Sequence, residues 1–92
     1  MGKPTERELA DALTEAARMR EQGEDPHFLA KSLLNLNYRI HFLQRVLQTA
    51  DTFLHYGQEA KLHTELLRAI EEAKRVEEEV PEPEGALPDG LI

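Results

Sequence analysis

The chain of 92 residues has no cysteine and no tryptophan. Disulfide stapling and thiolate metal ligands are therefore excluded. Ser32 is its single serine, and it has no glycine-rich elbow or phosphate loop, so nucleophilic and nucleotide chemistry find no motif. Long apolar runs are missing too, which argues against a membrane span or a secretory leader in Met1–Arg7. A cytoplasmic location is the resulting expectation.

The net charge of −7 is unevenly placed. Glu77, Glu78, Glu79, Glu82, Glu84 and Asp89 fall in the last sixteen residues, which carry no base. All eleven basic residues precede them, facing twelve acids, so Met1–Val76 stands at only −1. A nearly neutral body makes no field for nucleic acid. Lys31, Arg39 and Arg45 on one helix are the residues such binding would use.

What is present is helical periodicity. Leu29, Leu33, Leu36, Ile40, Leu43, Leu47, Ala50 and Leu54 follow in alternating steps of four and three. That spacing holds one stripe of a long helix toward other helices. The start and stop signals divide the chain in three. Thr5 and Glu8 form a capping box, and Gly23 offers a left-handed stop. Asp25-Pro26 opens the next helix, with aspartate as cap and proline at the first position. Gly57 closes it, and Pro81 ends a third. The expected fold is an all-α, three-helix antiparallel bundle with a long central helix. The helical domain covers 1–80, with helices at about 6–22, 26–56 and 58–79. Residues 81–92 form an acidic C-terminal tail expected to be disordered. Leu87, Leu91 and Ile92 in that tail could anchor it to a partner's groove.

The central helix carries a second apolar stripe, Phe28, Phe42, Val46 and Phe53, about a third of a turn from the first. Together the two stripes exceed what one neighbour covers, so both outer helices are expected to pack on the central one. Because the outer helices are shorter, apolar surface remains open toward its ends, with Phe28 and Phe53 the residues most at risk. A second copy is the simplest cover, through an interface of Phe28, Asn35, Arg39, Phe42, Val46 and Phe53. Within it, Asn35 and Arg39 either fix register or, for Arg39, lie over apolar neighbours and pair with Asp11 or Glu15.

A polar strip of the same helix holds Asn37, Tyr38, His41, Gln44, Arg45, Gln48, Thr52 and His55. Uncharged amides and hydroxyls suit a contact surface, since they are cheaper to desolvate than charges. Chemistry has two weaker candidates. His55, Glu59 and His63 would align as metal ligands if the helix ran through Gly57, and His41 is an exposed histidine. The functional expectation is a non-enzymatic protein–protein interaction module, a small homodimeric helical adaptor, regulator or accessory subunit. It requires no cofactor, and its partners would be itself and another protein rather than nucleic acid or membrane. The alternative is a metal- or histidine-dependent activity using His55, Glu59, His63 or His41.

Overall fold

The computed structural model describes residues 1–57 and 59–84. These residues form three α-helices and contain no strand: α1 (Glu6–Glu21), α2 (Leu29–His55) and α3 (Ala60–Glu77), with a short 3-10 turn at Pro26–Phe28. The all-α bundle with a long central helix is thus the fold.

The local signals operate as their chemistry requires. The Thr5 N–H donates to Glu8 Oε1 at 2.8 Å, and the Glu8 N–H donates to Thr5 Oγ1 at 3.0 Å. At the other end of α1, Gly23 is left-handed with φ 68°. Its N–H donates to the Arg20 carbonyl and that of Glu24 to the Met19 carbonyl, a Schellman closure. Gly57, with φ 107°, separates α2 from α3 as its position implies.

The start of α2 differs from expectation. Pro26 opens a single 3-10 turn, and His27 and Phe28 both take left-handed conformations, with φ 56° and 57°. The α-helix begins at Leu29, three residues late. Asp25 remains its cap, acting across the turn: the Ala30 and Lys31 N–H groups donate to its carboxylate at 2.6 and 3.0 Å. Arg20 donates to the same carboxylate at 2.9 Å. Two left-handed non-glycine residues cost roughly 1–2 kcal/mol each. The carboxylate offsets that cost by satisfying two donors the helix start would otherwise leave open.

Both outer helices pack on α2, and they do not pack on each other. The most buried residues among those described are Ala16, Ala30, Ala69, Ala73 and Val76. All are small, which permits close approach of backbones, but no large side chain among the described residues is fully buried. The described residues span 49 × 39 × 18 Å, with a radius of gyration of 17.6 Å. A compact domain of this length would have roughly 12 Å. Its accessible surface, 7900 Å², likewise exceeds the roughly 5,400 Å² typical of a folded monomer of this mass. The single chain is a thin, open arrangement with little interior.

The start of the acidic tail is tied down. Lys31 Nζ donates to the Glu82 carbonyl at 2.5 Å, and Arg20 pairs with Glu84 at 2.5 Å. Residues 81–84 therefore lie against the base of α2, and the rest of the tail expected to be disordered, 85–92, lies outside the described residues. Leu87, Leu91 and Ile92 lie outside the described residues.

Candidate functional site

At about 100° per residue, α2 presents three faces. The first contains Ala30, Leu34 and Asn37, all at least half-covered, and α1 is the other helix that packs on α2. The second meets α3. On it Arg39 is forked onto the Glu77 carboxylate, with its Nη2 at 2.7 Å from Oε2 and its Nε at 3.2 Å. Arg45 donates to Glu72 at 2.7 Å, and the Tyr38 hydroxyl reaches Glu79 at 3.5 Å. Phe53 meets the His63 ring edge-on, with centroids 6.1 Å apart, and Tyr38 stacks edge-on with Phe42. The Arg39 guanidinium, donating to Glu77, holds that carboxyl below the usual range.

The third face is the leucine seam. Leu29, Leu36, Ile40, Leu43, Leu47 and Leu54 are all exposed, from 46% at Leu43 to 71% at Leu47. Leu33 and Ala50 are half-buried. The stripe expected to pack against the outer helices is the one both leave open. The acids of α3 find Arg39 and Arg45 on the second face, and the seam has no cation to pair with them.

The phenylalanine stripe is correspondingly reassigned. Arg39 and Phe53 are held by α3, and the half-buried Phe42 and Val46 lie on the same face. Arg39 pairs with Glu77, not with Asp11 or Glu15. Phe28, 52% exposed, sits in the turn before α2 with the Lys31 ammonium 5.9 Å above its ring. Asn35 is exposed beside it. Sequence periodicity found both stripes. It could not say which one the acids of α3 would select.

The polar strip is divided as well. Arg45 is engaged by α3 and Tyr38 by Glu79 just beyond it. Asn37 is half-covered, and its carbonyl accepts from His41 Nδ1 at 2.6 Å. Thr52 donates to the Gln48 carbonyl, and His55 Nδ1 lies 3.0 Å from Asp51 Oδ1. His41, Gln44, Gln48 and His55 are exposed along the continuation of the face that α1 covers only over its first part.

The candidate ligands do not assemble. His55 ends α2, Glu59 precedes α3 beyond Gly57, and His63 packs on Phe53. Among the described residues, no three His, Asp or Glu side chains are placed to hold a metal ion. No described helix is long and apolar enough to cross a membrane.

A cleft of about 930 Å³ opens at the base of α2, which sequence reading did not identify. Its walls include Arg20, Phe28, Lys31, Arg39 and the segment from Glu79 to Glu84. The cations of this wall are already matched: Arg20 by Asp25 and Glu84, and Arg39 by Glu77. Burial pushes the Asp25 carboxyl up, but the Ala30 and Lys31 N–H groups and Arg20 outweigh that and hold it below its usual value. The cleft is thus closed electrostatically by the chain's own acids. No family model matches the chain, and neither the curated proteins nor the solved structures include a match to it.

Proposed function

We propose that this chain is a non-enzymatic protein-interaction module, a small adaptor or accessory subunit that works as a homodimer through the leucine seam of α2. One observation carries the reading: six large aliphatic residues in one line stay exposed while no large side chain among the described residues is fully buried. Scattered surface leucines are ordinary, but a continuous aliphatic line some 40 Å long on a 27-residue helix is a surface built for contact. A chain this small gains too little from its own core to leave such a surface wet.

The dimer would meet another protein through the surfaces that this pairing leaves open. The test is mass in solution. Light scattering after size exclusion at tens of micromolar should give twice the 10.5 kDa of the chain. Leu36→Glu with Leu47→Glu should return the monomer mass and weaken association on the order of 100-fold or more. A wild-type monomer at that concentration overturns the reading.

A further inference from the structure

Resting on that reading, we infer that the two copies pair with their α2 helices antiparallel about a two-fold axis between His41 and Phe42. In that register Leu29 lies against Leu54 of the partner, Leu33 against Ala50, Leu36 against Leu47 and Ile40 against Leu43. Every seam residue then has an apolar counterpart, and the axis generates each contact twice.

Three observations bear on this arrangement, and the first and third favour it over a parallel one. The first is side-chain volume. A parallel pair sets Ala50 against Ala50, opening a gap, whereas the antiparallel pair fills each alanine with the half-buried Leu33 of the other copy. The second is charge. The residues beside the seam are Ala30, Asn37, Gln44 and Asp51 on one edge and Ser32, Arg39, Val46 and Phe53 on the other. Arg39 is neutralised by Glu77 within the chain, so no like charges meet across the axis and no strongly charged partner is selected. Antiparallel helices also place opposite dipole ends side by side, a small favourable contribution.

The third is coverage. Antiparallel pairing brings the Ala30–Asn37–Gln44–Asp51 edges of the two copies together. The α1 of one copy, lying over the first part of its own α2, then falls beside the second part of the partner's α2. That is where Gln44, Gln48 and His55 are exposed in the single chain. The amide-rich strip becomes a seat for the partner's first helix. Its uncharged composition follows from being covered.

The exposed seam is large enough. At about 180 Å² for a fully exposed aliphatic residue, its six open members contribute roughly 600 Å² per copy. Two copies reach the roughly 1,200 Å² at which specific interfaces begin, before any contribution from α1.

Because the chain has no cysteine, single cysteines report the orientation directly. Leu29→Cys and Leu54→Cys, both at exposed positions, are mixed, unfolded, refolded together and treated with a short bis-maleimide. The expected result is a covalent dimer in the mixture containing one copy of each variant, and little from either variant alone. Two Leu29 positions would stand roughly 37 Å apart in the antiparallel pair. Efficient cross-linking of L29C alone overturns the orientation while leaving the seam as the interface. A dimer mass without any cross-link overturns the seam's part in this pairing. A monomer mass overturns both this inference and the function it rests on.

Discussion

The two apolar faces of α2 differ in kind. The face under α3 mixes Phe42, Val46 and Phe53 with Tyr38, Arg39 and Arg45, and its polar members all find partners on α3 or just beyond it. The seam has aliphatic side chains and nothing to pair. A single chain covers the mixed face and leaves the uniform one open, although burying leucine is worth about 1.5–3 kcal/mol a residue. The difference shows how an intramolecular contact gets its address. Ion pairs on α3 can be satisfied in only one place, whereas leucines accept any apolar neighbour, including a second molecule.

Substitutions should separate the two faces. Ala69 is 1% exposed where α3 meets α2. Ala69→Leu should overfill that contact and cost about 1–3 kcal/mol, with the lowering of Tm independent of protein concentration. Leu43→Glu on the seam should lower Tm only where the wild type is dimeric, since it acts on association. Equal behaviour of the two variants in a concentration series of thermal melts would erase the distinction.

Acid should act on the folded chain through Asp25, Glu77 and Glu15. The Asp25 carboxyl is lowered by its backbone and Arg20 donors in spite of burial, Glu77 by Arg39, and Glu15 by its hydrogen bonds with Arg18. A lowered carboxylate contributes its full stability above its unfolded value, near 4. It loses that contribution as pH falls through the folded value below it. Melting temperature should therefore hold from pH 7 to about 5 and decline below about 4. Asp25→Asn should flatten part of that decline and lower Tm by several degrees at neutral pH, because Arg20 loses one of its two charged partners and the start of α2 loses its carboxylate cap. An unchanged acid profile in D25N would remove Asp25 from the account.

Smallest of all should be Arg39→Gln. Both partners of its pair with Glu77 are about one-third exposed, so solvent and salt already screen the interaction. A Tm shift near the error of measurement is expected, with the dimer mass retained. Loss of the dimer in R39Q would return this residue to an interface between copies and break the contrast drawn above.

Much of the architecture was legible because it is local. The capping box of Thr5 and Glu8, the left-handed stops at Gly23 and Gly57 and the seam's four-three spacing depend on neighbours within a turn or two. The start of α2 was legible only in part. Asp25 caps as its side chain must, yet the turn through His27 and Phe28 delays the helix, because the carboxylate bonds residues five and six positions on. Nothing in local propensity signals that reach. Likewise Arg20 and Lys31 hold Glu84 and Glu82 from more than fifty positions away, a pairing that composition alone assigns to a free acidic tail.

The sequence by itself determined that this protein is helical, where its helices break, and that its central helix bears more apolar surface than two shorter companions cover. Those properties follow from side-chain period and backbone geometry, which each segment carries with it. Only the tertiary structure decided which stripe stays open. That outcome depends on how α3 docks on α2, where Phe53 meets His63 and Arg39 and Arg45 meet Glu77 and Glu72, and contacts between distant segments exist only once the helices have docked.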